Sequence, residues 1–173
     1  MNMSPSDIAI GDPAPQRVLI GTREELHEAV RVALGAGRRT VRALHRDLSV
    51  FDLSSIAATE LLRQLLLGDR SARVRLLVDD AAWLETGAAR LRLLQRRFPH
   101  ALELRVASDA DPVGEDACVL VDDHVALELR ATRTTSGSLW LHHKPHAQPL
   151  IAAFDRRWNA AGHNLPASPL GLA

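Results

Sequence analysis

A histidine followed two residues later by a lysine stands near the C-terminal end, in the segment SLWLHHKPHAQPL. His142 and Lys144 have the H-x-K spacing, in which an imidazole attacks phosphorus and an ammonium group holds the phosphoryl oxygens. Lys144 is the only lysine among 21 basic residues. His142, His143 and His146 offer a second possibility, a metal site. Because adjacent residues of a strand point to opposite faces, we expect no metal to be held by His142 and His143 together.

Two pairs of carboxylates each end an apolar segment. Asp79-Asp80 follows RVRLLV, and Asp122-Asp123 follows ACVLV. Carboxylates at strand ends can bind Mg²⁺ or act as acid and base. They are also the ordinary residues through which a strand enters a turn. The pairs therefore keep open a metal-dependent phosphodiesterase or nuclease that uses them together with the histidines of segment 142–146.

The composition indicates one globular domain. The chain has 173 residues, of which 46% are apolar, enough for a hydrophobic core. Its formal net charge is zero and aromatic residues make up 3%, which disfavours generic binding to nucleic acid. A nucleic-acid adaptor would have to use the basic residues of segment 38–46, which are Arg38, Arg39, Arg42 and Arg46.

The sequence also gives expectations for the location of the protein, for a cofactor and for its one cysteine. The N-terminal residues lack a signal-peptide pattern, and no apolar stretch approaches the roughly 18 residues of a membrane span. We therefore expect a cytoplasmic protein without membrane contact. Neither G-x-G-x-x-G nor a P-loop lysine is present, so we predict no cofactor. Cys118 stands in the apolar run ACVLV and is expected to be an inert core thiol.

Hydrophobic periodicity predicts alternating strands and helices, which is typical of an α/β fold with a mixed β-sheet flanked by helices. We place this domain at residues 16–165, with a flexible arm at 1–15 and an irregular tail at 166–173. Strands are predicted at 17–20, 73–80 and 101–106, and residues 40–48 are predicted as a strand that runs into a loop. A hairpin at 117–130 and a strand at 139–142 follow.

Capping residues set the predicted helix starts. Thr22 and Glu25 form a T-x-x-E capping box. Ser54 or Ser55 caps a helix that ends at Gly68. A third helix is predicted from a cap at Thr86 to about Arg97. The last predicted helix begins at Leu150, after Pro145 and Pro149, and turns Leu150, Phe154 and Trp158 inward.

The hairpin segment ACVLVDDHVAL resembles the second half of the phospholipase D signature, H-x-K-x4-D-x6-G-S-x-N. Asp122, Asp123 and Ala126 fall in register on the D, G and A of the V-x-D-G-x-x-A turn of that family. The F-x3-W of the last helix is similar to the end of such domains. The resemblance covers about residues 17–165 and implies one half of a phospholipase D-like fold.

With Asp122 on the motif aspartate, Glu115 takes the position of the nucleophilic histidine and Ala117 that of the lysine. The G, S and N positions fall on Leu129, Arg130 and Thr132. A glutamate meets charge repulsion from a phosphodiester, and alanine offers no cation. The resemblance therefore implies a non-catalytic domain that binds a ligand or a protein. Its degenerate cleft would contain Glu115, Asp122 and Arg130.

Three expectations follow from the resemblance. Glu115 and Arg130 should face one another across the hairpin as an ion pair that closes the cleft. His142-x-Lys144 has no role, because the motif aspartate would fall on Pro149. Active members of the superfamily join two halves, so a single half predicts a homodimer. Degenerate domains of this kind in bacterial proteins sometimes accompany GNAT-type acetyltransferases, which makes such an enzyme a candidate partner.

Overall fold

The computed structural model describes residues 14–167. Seven strands form one sheet in the order β1-β7-β6-β5-β2-β3-β4. Strands β2, β3 and β4 are parallel, and the other neighbours are antiparallel. The strands are β1 (Gln16–Ile20), β2 (Thr40–Leu44), β3 (Arg73–Val78), β4 (Leu102–Val106), β5 (Cys118–Val121), β6 (Val125–Leu129) and β7 (Gly137–Leu141). The helices are α1 (Arg23–Gly35), α2 (Ile56–Gly68), α3 (Ala82–Thr86), α4 (Ala89–Arg97) and α5 (Lys144–Ala160).

This architecture confirms the predicted α/β fold with a mixed sheet. Helices α1, α2 and α4 pack on one face, around buried residues such as Val41 and Leu76. Helix α5 covers the other face, where Phe154 and Trp158 meet Leu120. Most of the predicted N-terminal arm, and residues 168–173 of the predicted tail, lie outside the described residues.

The predicted caps of α1 and α2 are confirmed. The N–H of Glu25 donates to the Thr22 hydroxyl at 3.1 Å, and the Glu25 carboxylate accepts the N–H of Thr22 at 3.2 Å. Ser55 caps α2 by accepting the N–H of Ala58 at 3.1 Å. These local bonds hold the N-terminal ends of both helices in place.

The predicted cap at Thr86 is wrong. Thr86 ends the short helix α3, where its hydroxyl donates to the carbonyl oxygen of Ala82 at 2.9 Å. Helix α4 begins separately at Ala89, after Ala88, which makes no side-chain cap. Buried Leu91 and Leu94 of α4 lie in the core. Tertiary packing, rather than a cap, therefore decides where α4 begins.

Helix α5 begins six residues before the predicted Leu150, at Lys144. His143 caps it, with Pro145 in its first turn, where a missing N–H costs nothing. Pro149 lies inside the helix instead of preceding it. The predicted inward positions of Phe154 and Trp158 are confirmed, since both are buried.

The segment after α5 lies along the outer edge of the sheet. Asn164 bridges to Arg105 of β4, and the N–H of Leu165 donates to the carbonyl oxygen of Leu104 at 2.7 Å. Arg92 of α4 donates to the carbonyl oxygen of Pro166 at 2.9 Å. These contacts cover an edge strand that would otherwise present unpaired backbone groups. Within residues 14–167, no helix has the length and apolar character to cross a membrane.

Candidate functional site

The β5–β6 hairpin places the motif positions at its two opposite ends. Asp122 lies at the tip, and its carboxylate accepts the backbone N–H groups of Arg38, Arg39 and Thr40 at 2.9 to 3.0 Å. These bonds fasten the hairpin tip to the start of β2. The other motif positions lie at the open end, so the structure does not bring Asp122 together with Glu115.

Glu115 and Arg130 are both exposed, and neither belongs to an ion pair within residues 14–167. The N–H of Leu129 donates to the carbonyl oxygen of Ala117 at 2.9 Å. Continued by one residue, this register places Arg130 opposite Asp116, which itself binds Arg157 at 2.8 Å. A one-residue offset turns side chains to opposite faces. The described residues therefore contain no Glu115–Arg130 pair.

A cavity of about 580 Å³ opens at the same edge as the open end of the hairpin. It lies at the C-terminal ends of β2 and β3, where ligands commonly bind in open α/β sheets. Four segments line it, which are the start of α1 (Arg23 and His27), the loop after β2 (residues 45–52), Asp80 after β3, and residues 132–135 between β6 and β7. Thr132 occupies the motif asparagine position. The cavity thus contains one motif position, Thr132, and none of the three residues predicted for the degenerate cleft, Glu115, Asp122 and Arg130.

His45 shapes this cavity. The ring is buried, and its Nδ1 accepts the N–H groups of Asp47 at 3.2 Å and Leu48 at 3.0 Å. An Nδ1 that accepts carries no proton, so Nε2 carries it and donates to the carbonyl oxygen of Thr132 at 2.8 Å. Leu48 is fully buried with φ 68°, a left-handed conformation that costs energy. His45 therefore fixes a strained loop against the β6–β7 connection.

Three guanidinium groups line the cavity without ion-pair partners in the described part of the chain. They belong to Arg23, Arg46 and Arg133, which are all exposed and lie on three different segments. A guanidinium presents a planar fork of donors that matches phosphate and carboxylate oxygens. The arrangement can therefore receive an anionic group.

The cavity also contains three carboxylates, of which Asp47 and Asp80 accept hydrogen bonds from the chain and Asp52 lies 3.9 Å from His27 Nδ1. Asp47 accepts the N–H of Ser49 at 3.0 Å and its hydroxyl at 2.7 Å. Burial alone would raise the pKa of Asp47, but the side-chain and backbone hydrogen bonds from Ser49 hold that pKa below its ordinary value. Asp80 accepts the N–H of Ala82 at 2.8 Å. Asp47 and Asp80 thus serve the local backbone, while the arginines keep their donors.

The other carboxylates singled out from the sequence also have structural partners. Asp79 accepts the N–H groups of Val113 at 2.8 Å and Gly114 at 2.9 Å. Asp123 binds Lys144 at 2.9 Å and His124 at 3.0 Å. Across residues 14–167, no three His, Cys, Asp or Glu side chains are placed to hold a metal ion.

His142 and His143 lie at the hairpin-tip edge, opposite the cavity, and His146 lies in the first turn of α5. His143 Nδ1 accepts the N–H of His146 at 3.0 Å and caps α5. His146 binds Glu128 and stacks on Trp140, with 4.1 Å between ring centroids. His142 stacks on His124 at 5.6 Å. His142 and Lys144 therefore stand on either side of the residue that caps α5.

The basic residues of segment 38–46 do not share one surface. Arg39 pairs with Asp69 at the hairpin-tip edge, and Arg42 pairs with Asp155 under α5 at 3.0 Å. Arg46 lines the cavity. Cys118 is buried, and burial raises the pKa of its thiol, which confirms the inert core thiol.

Sequence reasoning missed His45 and the cavity arginines as a group. His45 belongs to none of the motifs considered above, and Arg46 is predicted only as one member of the basic segment 38–46. A usable signal was the polar run HRD directly after an apolar strand, since side chains after parallel strands meet at one edge. Arg23 and Arg133 carried no such signal, because only tertiary folding brings them to that edge.

The family model of DUF7931, a domain of unknown function, matches residues 22–165. The chain belongs to the DUF7931 family. No functionally curated protein matches it.

Solved structures place this DUF7931 domain in a known fold. Nuc from Salmonella typhimurium, a phospholipase D family member, has a TM-score of 0.64 at 14% identity, covering 88% of this chain and 99% of Nuc. TrmBL2, an archaeal chromatin protein with a novel mode of DNA binding, has a TM-score of 0.60 at 12% identity, covering 90% and 56%. Phosphatidylserine synthase of Haemophilus influenzae Rd KW20 has a TM-score of 0.54 at 18% identity, covering 91% and 40%. The predicted phospholipase D-like fold is confirmed.

Proposed function

We propose that this DUF7931 domain is a non-catalytic phospholipase D-like domain that binds an anionic ligand in the cavity at the C-terminal ends of β2 and β3. One observation carries the proposal. Arg23, Arg46 and Arg133 converge on one cavity without ion-pair partners in the described structure, whereas Asp47 and Asp80 accept hydrogen bonds from the chain and Asp52 lies beside His27. Like charges brought together in this way favour a ligand of opposite charge.

The ligand's chemistry follows from the lining. Guanidinium groups pair with phosphate oxygens by short, charge-assisted hydrogen bonds. The lining residues include neither Phe nor Trp, so stacking of a nucleobase contributes little. We therefore infer recognition of a phosphate or similar oxyanion, with the hydroxyl of Thr135 as an additional donor.

Two observations support binding without catalysis. The motif positions of the nucleophile and the lysine hold Glu115 and Ala117, and Ala117 is buried. His45 directly follows Leu44, which pairs with Cys118 next to these positions, and both of its ring nitrogens are engaged. A histidine attacks phosphorus through a free lone pair, and His45 has none available. Homodimer formation, an acetyltransferase partner and a cytoplasmic location stay predictions.

The proposal is tested with bis(4-nitrophenyl) phosphate, a chromogenic phosphodiester. We expect calorimetry to detect binding and absorbance to detect no hydrolysis, with or without Mg²⁺, Mn²⁺ or Zn²⁺. The double variant Arg46→Ala/Arg133→Ala should bind at least about tenfold more weakly, the effect of losing charge-assisted contacts. Arg38→Ala removes an exposed arginine at the opposite edge and should change nothing.

Two results would overturn the proposal. Equal affinity of the wild type and the double variant would show that the cavity is not the site. Hydrolysis that depends on added metal and is lost in Asp80→Ala would establish the metal-dependent phosphodiesterase instead.

A further inference from the structure

Helices α2 and α4 lie side by side on the sheet and leave a groove on their outer side. The groove measures about 260 Å³ and is lined by residues 59–63 of α2 and residues 90–97 of α4. A bond between the Leu91 N–H and the Ser54 hydroxyl, at 3.2 Å, ties the start of α4 to the residues preceding α2. The groove shares no residue with the cavity at the ends of β2 and β3.

Leu93 lines the groove, and Ile56 and Leu67 lie on α2 about one turn before and after the residues of α2 that line it. Ile56, Leu67 and Leu93 are 70%, 54% and 59% exposed. Four large apolar side chains of the described residues are exposed to this degree, and three of them lie on these two helices. Ile56 and Leu67 are eleven residues apart, three turns of one helix face. Glu60 and Arg63 lie between them on that face. Exposed large apolar side chains grouped on two neighbouring helices are expected to meet a partner.

Positively charged side chains flank Leu93 on α4. Arg90 and Arg97 stand one turn on either side of Leu93, and neither has an ion-pair partner within residues 14–167. Helix α4, with the sequence ARLRLLQRR, contains no acidic residue. Across the groove, Glu60 is held by Arg63 at 2.7 Å, so its charge is already compensated.

We propose that the groove between α2 and α4 is a docking surface for an acidic amphipathic helix of a partner protein. A helix laid between two neighbouring helices buries its apolar face in their groove. Acidic side chains flanking that face would meet Arg90 and Arg97, which sets both partner choice and orientation. A second copy of this domain fits less well, because it would bring the same arginines against one another.

Fluorescein-labelled synthetic peptides provide the probe. Both peptides repeat a heptad with leucine at two positions, one carrying glutamate and the other lysine at the remaining positions. We expect fluorescence anisotropy to show binding of the acidic peptide at least about tenfold tighter than binding of the basic one. Leu93→Asp should weaken the acidic complex at least about tenfold, as loss of a central apolar anchor does. Leu19→Asp alters the fourth exposed apolar residue, on β1 and 44% exposed, and should leave binding unchanged.

A charge-reversal variant tests the proposal independently if Leu93→Asp perturbs folding. Arg90→Glu/Arg97→Glu changes only exposed side chains and should reverse the preference, so that the basic peptide binds more tightly. Equal affinity for both peptides, or undiminished binding by folded Leu93→Asp, overturns the proposal. Self-association in light scattering that is lost in Leu93→Asp would assign the groove to a second copy and overturn it as well. So would binding to phosphatidylserine vesicles that depends on Leu93 in the absence of peptide binding.

Discussion

The Nε2 atom of His45 lies 2.8 Å from the carbonyl oxygen of Thr132, 87 residues further along the chain. His45 follows β2 and Thr132 follows β6, so this contact joins two loops that line one cavity. The same ring accepts two N–H groups from its own loop. One buried side chain therefore holds the cavity's shape from both sides.

Replacing His45 should cost considerable stability. His45→Ala leaves the N–H groups of Asp47 and Leu48 without their acceptor and the Thr132 carbonyl without its donor. Buried polar groups left unpaired cost about 1–3 kcal/mol each, and we expect a total loss of about 2–4 kcal/mol in the free energy of unfolding. Urea denaturation measures it.

Thr132→Ala is the matched control for this contact. It keeps the carbonyl oxygen that accepts from His45 and removes only the hydroxyl, which is 3.0 Å from Nε2. We expect a smaller loss of about 1 kcal/mol. An equal loss in both variants would show that the bond from His45 Nε2 to the Thr132 carbonyl oxygen does not account for the stability that His45 contributes.

Asp122 should contribute to stability and not to ligand binding. Asp122→Ala removes the acceptor of three backbone N–H groups at the start of β2, and hydrogen bonds to charged groups contribute about 1.5–3 kcal/mol. We expect a loss of about 2–3 kcal/mol in urea denaturation, with calorimetric anion affinity unchanged. Asp123→Ala, an exposed neighbour, should lose less than about 1 kcal/mol. Anion binding that disappears in folded Asp122→Ala would contradict this assignment.

Asp47 predicts how the domain responds to acid. Its pKa is lower in the folded state than the usual aspartate value of 3.8, so the unfolded chain takes up the proton first as the pH falls. Its contribution to stability is therefore fully present above about pH 4 and is lost as the pH falls through the lowered folded-state pKa. Asp47→Asn should flatten the dependence of unfolding free energy on pH below about 4.

Ser49→Ala refines the acid test. It removes the hydroxyl bond to Asp47 and keeps the backbone N–H bond, so the flattening should be intermediate between wild type and Asp47→Asn. Urea denaturation over a series of acidic buffers measures all three. Identical pH dependence of the three proteins would show that Ser49 does not hold the carboxylate charged.

Two glycines at the ends of helices should respond oppositely to alanine. A Cβ on Gly37 would lie 2.8 Å from Val121 and 2.9 Å from Leu65, closer than packed carbon atoms approach, whereas a Cβ on Gly68 meets nothing within 4 Å. Gly37→Ala should therefore cost about 1–3 kcal/mol through overpacking. Gly68→Ala should be neutral or stabilising by up to about 1 kcal/mol. Thermal unfolding compares the pair, and equal effects would contradict the close approach at Gly37.

The fold could be predicted from the sequence where local signals and burial agree. Thr22, Glu25 and Ser55 cap helices through contacts within four residues, so their pattern alone located α1 and α2. Strand β3 was predicted from its apolar run. The Thr86 cap failed because α4 begins where packing requires. The predicted start of α5 is too late because proline usually precedes a helix, whereas Pro149 lies inside this one.

The candidate site was harder to predict because it is made by topology. The motif pattern correctly indicated a phospholipase D-like fold, yet it could not show that Asp122 lies at the opposite end of the hairpin from the cavity. Arg23, Arg46 and Arg133 are distant in sequence and lie together only because β1, β2 and β6 end at the same sheet edge. Residues brought together in this way have no characteristic spacing in the sequence that could predict the site.

The position of a bound oxyanion tests the central claim most directly. Crystals soaked in sodium tungstate, a strongly scattering phosphate analogue, would locate the anion by anomalous diffraction. We predict a tungsten peak within hydrogen-bonding reach of the guanidinium groups of Arg46 and Arg133, in the cavity beside His45. A peak at Arg38, beside Glu115, or in the groove between α2 and α4 with none in the cavity would contradict the account.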